Sequence, residues 1–264
     1  MNNFSRNIAK TVEESVVMTM DGSDKEIFPF LPYILQDLWE IGSDPEVIIK
    51  LIKKHSFNYN NLRVLDLGCG KGAVSIKVAC EFGCSCYGID AVSEFISDAQ
   101  QKAVEYSVDH LCKYEIGDIR EKVKELGVYE IIILGSIGPV FGNCFATLMA
   151  LSKCLSDSGI IIIDNGYIED NVSYTHPLYS KKQTILQQIN SAEMKLIEND
   201  IFNRNKIKHS NDFIFHNLRK RCLELIDKYP KKRNLFEDYI RKQAEENGVL
   251  ENKIICTTMV IRRN

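Results

Sequence analysis

The sequence predicts an α/β protein with a mostly parallel, doubly wound, seven-stranded sheet, N-terminal helices and a helical insertion before the last strand. Three observations support this fold class. Short segments rich in Ile, Val and Leu alternate with helical patterns between residues 61 and 164. The apolar segments are nearly continuous, which is typical of strands that are buried on both faces of a parallel sheet. Two long polar helical patterns then precede a last apolar strand.

The central part of the chain supplies five of the seven predicted strands. Their β-branched composition and the Gly and Asp residues at their ends mark them as strands. They are predicted at Arg63–Leu67, Ser85–Ile89, Lys113–Ile116, Glu130–Leu134 and Ile160–Asp164. The helices between them are predicted near Ala73–Phe82, Glu94–Tyr106 and Phe145–Leu155.

The flanking segments are mostly helical. Asn7–Met20 is amphipathic, and Ser43 and Glu46 are predicted to form a capping box around Pro45. After Asp164 the pattern changes to a loop rich in Tyr, Asn and Pro. The elements predicted there are the loop Asn165–Tyr179, helices near Lys181–Ser191, Asn211–Tyr229 and Leu235–Asn247, and strands at Met194–Asp200 and Lys253–Arg263.

Composition excludes several classes of protein. With 45% hydrophobic and 26% charged residues, the chain has the composition of an ordinary globular protein. Its longest apolar runs, at Ile131–Leu134 and Ile160–Ile163, are too short to span a bilayer. No basic segment followed by an apolar one opens the sequence, so we expect no secretory signal. The nine cysteines include no CxxC pair, which favours reduced thiols and a cytoplasmic location.

The cysteines and histidines do not predict a metal site. Cys80, Cys84 and Cys86 follow a C-x3-C-x-C spacing, one residue short of the spacing that holds an iron–sulfur cluster in radical enzymes. Cys84 and Cys86 also lie at alternate positions of a predicted strand, so we expect all three to be buried structural thiols. The five histidines show no ligand spacing.

A glycine-rich loop follows the first predicted strand. Gly68, Gly70 and Ala73 satisfy the loose G-x-G-x-x-A form of a dinucleotide site. Asp66, two residues before the first glycine, argues against that function, because a carboxylate there would repel a pyrophosphate. The same carboxylate suits a ligand that carries an ammonium group. Glycines remain useful in such a loop because they permit positive φ and a close approach of the backbone to a flat ligand.

Three separated motifs carry a family resemblance. "VLDLGCGKG" at 64–72, "YGID" at the end of the second predicted strand and "GD" after the third occur in the order found in class I S-adenosylmethionine-dependent methyltransferases. The chain resembles this family over about Leu62 to Asp164, so the resemblance implies a Rossmann-like methyltransferase fold with an antiparallel last strand. It also implies S-adenosylmethionine as the cofactor.

The resemblance assigns roles to individual residues. Asp66 would order the methionine end of the cofactor above the loop of Gly68, Cys69, Gly70 and Gly72. Asp90 would accept hydrogen bonds from both ribose hydroxyls. The remaining positions implied by the resemblance are Ala91, Asp118 and Ile119 at the adenine, Gly135 and Ser136 beneath the methionine portion, and Trp39 and Gly42 in a segment that closes over the cofactor.

Each assignment has a purely structural alternative. The glycine loop can be a plain tight turn, and Asp90 can simply end a strand before a helix cap at Ser93. Asp118 and Glu121 form a capping-box pattern of their own, so Asp118 can serve the following helix. Trp39, the only tryptophan, can be an anchor in the core or at an interface.

The methyl transfer that the resemblance implies needs little general acid–base catalysis from the protein. A sulfonium is already an activated electrophile, so the main tasks are to align the nucleophile and to exclude water. "GSIGPVFG" at 135–142 departs from the N/D-P-P-Y/F motif of enzymes that methylate amino groups of adenine or glutamine. No acidic cluster suggests the metal of catechol-type enzymes. The candidate general bases, which the sequence does not rank, are Asp164, Tyr167, His176 and His209.

The predicted insertion raises the question of an RNA substrate. Arg204–Arg233 contains ten Lys or Arg and three Asp or Glu, which could attract RNA or an acidic substrate. Solvated helix faces explain the same pattern, because the basic residues lack interleaved aromatics and the net charge of the chain is −3. Helices before the last strand, together with the N-terminal helices, would more naturally roof a site for small molecules.

We therefore expect one methyltransferase domain over residues 1–264. It consists of a helical cap at 1–60, a cofactor-binding core at 61–164 and a substrate-side region at 165–264 with the insertion at about 204–248. We expect a small-molecule methyl acceptor, no nucleic acid and no membrane partner; a homodimer is compatible with the sequence. The alternatives are an RNA methyltransferase that uses the basic insertion, and a catalytically inactive module that binds S-adenosylmethionine.

Overall fold

A computed structural model describes residues 10–264 of the chain. Its centre is a seven-stranded sheet with the strand order β3-β2-β1-β4-β5-β7-β6. Strands β1 to β5 pair in parallel, and β7 runs antiparallel to both β5 and β6. The prediction of a doubly wound, mostly parallel, seven-stranded sheet is confirmed, as is the antiparallel last strand. The strands are β1 Arg63–Leu67, β2 Ser85–Asp90, β3 Cys112–Ile116, β4 Tyr129–Leu134, β5 Leu155–Tyr167, β6 Met194–Ile201 and β7 Ile255–Arg263.

Ten α-helices occur within residues 10–264, and two of them form the predicted insertion between β6 and β7. The helices are α1 Val12–Thr19, α2 Leu31–Ile34, α3 Pro45–His55, α4 Ala73–Phe82, α5 Ser93–Glu105, α6 Ile119–Lys122, α7 Cys144–Ser152, α8 Lys182–Ser191, α9 Arg204–Lys228 and α10 Arg233–Asn252. Helix α1 occupies part of the segment predicted to be amphipathic, whose residues 7–9 lie outside the described part.

Several predicted helix ends and caps were wrong. Asp44, and not Ser43, caps α3 by accepting a hydrogen bond from the backbone of Glu46. Helix α9 begins at Arg204 and not near Asn211, because the Asn203 side chain accepts from the backbone N–H groups that follow it. Ser93 is the first residue of α5 and does not cap it.

The sheet divides the main core into two layers because alternate strand residues point to opposite faces. Val64 and Ile131 pack with α3, α4 and α5 on one face. Leu65 and Ile132 pack with α6, α7 and α8 on the other face. The prediction of buried thiols holds for Cys84 and Cys86, whereas Cys80 is exposed on α4.

A third apolar cluster lies beyond the carboxyl ends of the strands. Leu31 and Ile34 of α2 and Ile27 before it pack with Leu218 of α9 and Phe236 of α10. The N-terminal segment and the insertion therefore share one core and form a roof over that edge of the sheet. None of the helices in the described range 10–264 is long and apolar enough to span a bilayer.

Candidate functional site

The order of the strands reverses at β1, whose neighbours are β2 on one side and β4 on the other. Ligands of open α/β sheets bind at such a point, beyond the carboxyl ends of the strands. The loop after β1 has a backbone that requires glycine, with φ of 71° at Gly68, 52° at Gly70 and 73° at Gly72. A Cβ at Gly68 would also lie 2.5 Å from the Ile137 side chain. The glycines thus set the floor of a narrow cleft.

Asp66 is the most unusual group in this cleft. Its side chain is only 3% exposed, and its Oδ2 atom has no hydrogen-bond partner among the residues that the structure describes. Burial raises the pKa of Asp66 to about 7; Ser75 opposes this shift by hydrogen bonding, and the charge of Asp90 adds to it. A buried carboxyl oxygen without a partner costs free energy, which a ligand with a hydrogen-bond donor would recover.

Asp90, at the end of β2, holds the glycine loop in place. Its two oxygens accept from the backbone N–H of Gly70 and of Val92, each at 2.9 Å. Burial raises the pKa of Asp90, and these backbone hydrogen bonds oppose the shift. Asp90 therefore has a structural role, as the alternative interpretation required. That role is to hold the glycine loop, and it does not involve a helix cap at Ser93. Each carboxylate oxygen keeps a further lone pair for a ligand.

Asp118 caps α6 by accepting from the backbone N–H of Arg120 at 2.9 Å. The Arg120 guanidinium also bonds both Asp118 oxygens, and its Nη1 donates to the carbonyl of Lys10 at 3.0 Å. Burial alone would raise the pKa of Asp118, but the bonds from Arg120 keep it below its ordinary value. The predicted reciprocal box with Glu121 was wrong, because the Glu121 carboxylate pairs with Lys124. Arg120 thus links the end of β3 to the N-terminal segment.

Trp39 and Gly42 lie against the loops that follow β1 and β4. The Trp39 indole N–H donates to the carbonyl of Lys71 at 3.0 Å, and its ring packs on Tyr106 with centroids 5.0 Å apart. A Cβ on Gly42 would lie 2.9 Å from the Cβ of Ser136. Trp39 is therefore both an anchor and a wall of the cleft.

The structure brings twelve of the thirteen predicted cofactor residues to one cleft. The exception is Gly72, which directly precedes α4 and packs against Tyr114 and Ala99. The twelve are Trp39, Gly42, Asp66, Gly68, Cys69, Gly70, Asp90, Ala91, Asp118, Ile119, Gly135 and Ser136. Helix α1 adds Val12, Ser15, Val16 and Thr19 to the lining, a contribution that no motif in the sequence indicates.

A second cavity of about 410 Å³ adjoins the cleft. It lies between the ends of β4 and β5 and the roof of α9 and α10. The residues that line both spaces are Thr19, Met20, Ile41, Gly42 and Ser136. A ligand in the cleft and a second one in the cavity would therefore meet at these residues.

Of the four candidate general bases, only Asp164 lines the second cavity. Its carboxylate accepts from the hydroxyls of Ser43, of Ser136 at 3.0 Å and of Thr258 at 2.6 Å. Burial raises the pKa of Asp164, and the three hydroxyls oppose the shift. Ser43 and Thr258 were missed because they lie far from Asp164 in the sequence.

The other three candidates lie elsewhere. Tyr167 is fully buried in the sheet core, beneath the Lys182 side chain. His176 packs between the rings of Tyr174 and Tyr179, and His209 is exposed on α9. The structure therefore gives no support to these three as bases. Within the described residues 10–264, no group of three or more His, Cys, Asp or Glu side chains could hold a metal ion.

Comparison with known proteins agrees with this geometry. A family model described as "Methyltransferase domain" matches residues 58–212, more than half of the chain. Similar solved structures include S-adenosylmethionine-dependent methyltransferases from Thiobacillus denitrificans and Geobacter sulfurreducens. The first is 16% identical with a TM-score of 0.73, and the second is 15% identical with a TM-score of 0.74. Each match covers 89% of this chain and 98% of the other chain. Both were crystallised with S-adenosyl-L-homocysteine. A cyclopropane synthase from Mycobacterium tuberculosis is also similar (12% identity, 97% of this chain and 99% of that chain covered, TM-score 0.73).

The strand order, the glycine loop and the buried acid at the end of β1 define a class of α/β enzymes with a ligand at the switch point. Together with the family match, they show that the chain belongs to the class I S-adenosylmethionine-dependent methyltransferases. S-Adenosylmethionine is the methyl donor of this class.

Proposed function

We propose that the protein transfers a methyl group from S-adenosylmethionine to a small molecule held in the second cavity. The observation that carries this proposal is the junction of two spaces at Gly42 and Ser136. One space has the buried carboxyl group that a methyl donor with an ammonium group needs. The other is roofed by α9 and α10 and opens onto the first.

The cleft residues fit the cofactor. The unpartnered Oδ2 of Asp66 would bind the ammonium group of the methionine portion, and Asp90 would accept from the ribose hydroxyls. The N–H of Ile119, at the start of α6, would donate to the adenine ring, and Asp118 would accept from its amino group. When bound, the cofactor supplies a methyl group on a positively charged sulfur, an electrophile that needs no further activation.

On the acceptor side, the chain's own residues position the substrate and exclude water. Ser136 has a φ of 54°, a strained conformation that turns the loop after β4 toward Asp164. The three hydroxyl donors fix the Asp164 carboxylate at the cavity wall, where it can orient a polar group of the acceptor. Helix α1 lines the junction and helices α9 and α10 roof the adjoining cavity, and exclusion of water favours transfer to the acceptor.

Charge pairing argues against the RNA alternative. Several basic residues of the insertion already face carboxylates within the described chain: Arg221 bonds Asp37 and Glu224, and Lys206 pairs with Asp44. A basic face that is partly neutralised in this way offers less attraction to phosphates. We also propose a cytoplasmic location, because all nine cysteines are free. A homodimer stays a prediction from the sequence.

Release of S-adenosylhomocysteine tests this function. Purified protein with S-adenosylmethionine is incubated with a low-molecular-weight metabolite extract or with total RNA, and the product is quantified by mass spectrometry. We expect release with the extract and only background release with RNA. Release with RNA alone would contradict the proposal in favour of the RNA alternative. No release with either, by protein that binds S-adenosylhomocysteine, would favour the inactive module.

A further inference from the structure

The second cavity contains one carboxylate that neither the proposed transfer nor a helix cap with an ion pair accounts for. Three aspartates line this cavity. Asp44 caps α3 and pairs with Lys206, and Asp164 is held by three hydroxyls. The third is Asp21, which follows α1 and directly succeeds Met20 at the junction with the cofactor cleft.

Asp21 has no cationic partner in the described part of the chain. The Gln243 amide donates to its Oδ2 at 3.3 Å and to the carbonyl of Met20 at 2.6 Å. Burial raises the pKa of Asp21 to about 7, the charge of Glu246 adds to this shift, and the bond from Gln243 opposes it. No lysine, arginine or histidine within residues 10–264 is among the groups that act on its pKa. As far as the structure describes the chain, the cavity therefore has an acidic wall that lacks a counter-charge.

Two tyrosines, Tyr239 and Tyr179, line the same cavity as this carboxylate. Burial is the main cause of the raised pKa of both phenols; the charge of Asp21 comes next for Tyr239, whereas for Tyr179 the charge and hydrogen bond of Glu246 come before it. A Cβ on Gly22, the residue after Asp21, would lie 3.4 Å from the Tyr239 ring, which is ordinary van der Waals contact. The Tyr179 hydroxyl donates to Glu246 at 2.9 Å. Carboxylates together with aromatic rings are the groups that bind ammonium ions in proteins.

The rest of the cavity is mostly apolar. Aliphatic side chains from β4, β5, α8 and α9 also line it, among them Leu134, Ile163, Ile185, Ile214 and Leu218. An acceptor that fills this space would place a hydrophobic body against these walls. Its polar anchor would face Asp21.

We propose that Asp21, Tyr179 and Tyr239 bind a protonated amine of the methyl acceptor, so that the acceptor is a hydrophobic molecule with a basic nitrogen. This inference rests on the proposed function, because it assigns the acceptor to the second cavity. It makes Asp21 a specificity-determining residue.

Binding to protein saturated with S-adenosylhomocysteine tests the inference without turnover. Titration calorimetry would compare three matched probes: 2-(1-naphthyl)ethylamine, 2-(1-naphthyl)ethanol and 1-naphthylacetate. We expect the amine to bind about tenfold more tightly than the alcohol, and the carboxylate to bind most weakly. Asp21→Asn should reduce amine affinity by about tenfold and leave alcohol affinity unchanged.

The substitution is well matched to its site. Asp21 has a φ of 56°, and asparagine adopts this left-handed conformation as readily as aspartate. Asp157→Asn, at an exposed position in β5 outside both cavities, removes the same charge and should change none of the three affinities. Affinity for S-adenosylhomocysteine, measured on each preparation, verifies that each variant is folded.

Three outcomes would overturn the inference: equal affinity for amine and alcohol, an amine preference that survives in Asp21→Asn, or binding of none of the probes. The proposed function is tested separately. Methyl transfer to neutral or anionic metabolites without a preference for amines would refute the role of Asp21 and leave the proposed function intact. Selective amine binding that depends on Asp21, without any methyl transfer, would support the role of Asp21 and refute the proposed function.

Discussion

Replacing Asp66 by asparagine is expected to weaken cofactor binding and, at neutral pH, to stabilise the ligand-free protein. The variant keeps the shape of the side chain but loses the charge that would bind an ammonium group. A charged hydrogen bond contributes roughly 1.5–3 kcal/mol, so affinity for S-adenosylhomocysteine should fall at least about tenfold. Titration calorimetry measures this change.

The effect on stability depends on pH. Burial raises the pKa of Asp66 from an ordinary 3.8 to about 7 in the folded chain. Below about pH 4 the Asp66 carboxyl is protonated in both the folded and the unfolded chain. Between about pH 4 and pH 7 it ionises readily only in the unfolded chain. The wild type therefore loses stability as the pH rises through this range. One pKa unit corresponds to about 1.4 kcal/mol. Between these pH values, the free energy of unfolding of Asp66→Asn should therefore rise by on the order of 3 kcal/mol relative to that of the wild type.

Urea unfolding at a series of pH values measures this gain. Asp157→Asn, at an exposed position, also removes one carboxylate. It should have the same free energy of unfolding as the wild type at every pH of the series. If Asp66→Asn follows the wild type as well and binds S-adenosylhomocysteine normally, then Asp66 is not the partner of the ammonium group.

Asp90→Ala is expected to lower both cofactor affinity and stability. The variant loses the acceptor for the ribose hydroxyls, which S-adenosylmethionine and S-adenosylhomocysteine share, so both affinities should fall at least about tenfold. It also leaves the N–H groups of Gly70 and Val92 without their acceptor. An unsatisfied buried group costs about 1–3 kcal/mol, so the two together should lower the free energy of unfolding of the ligand-free protein by roughly 2–6 kcal/mol.

Affinity and unfolding would be measured on the same preparation, well below the melting temperature of the variant. Asp90→Asn retains one acceptor oxygen and should recover part of the stability. Loss of stability with unchanged affinity would mean that Asp90 only orders the glycine loop.

The sequence predicted the centre of the fold well, because local patterns determine it. The predicted ends of strands β1 to β4 lie within one residue of the observed ends, and the glycines at 68, 70 and 72 occupy positions with positive φ that few other residues tolerate. Ten of the twelve cleft residues follow from motifs that each lie at the end of a strand; Trp39 and Gly42 lie in the N-terminal segment instead. In a parallel sheet those ends meet at one edge, so sequence order translates directly into spatial proximity.

The contacts that the sequence did not reveal join distant segments. Ser43 has the pattern of a helix cap, yet its hydroxyl bonds Asp164, 121 residues away. Asp21 has no local signal, because its position depends on how α1 packs against α10. Asp118 shows the converse: the local capping pattern was informative, but the Arg120 side chain and not Glu121 completes it. Such pairings depend on tertiary placement, which periodicity does not encode.

Titration of the wild-type protein with S-adenosylmethionine, S-adenosylhomocysteine and NAD tests the central claim most directly. A cleft built on a glycine loop with the buried carboxyl of Asp66 should bind both sulfur compounds and show no measurable affinity for NAD, whose pyrophosphate that carboxylate would repel. Binding of NAD without binding of either sulfur compound would contradict the account.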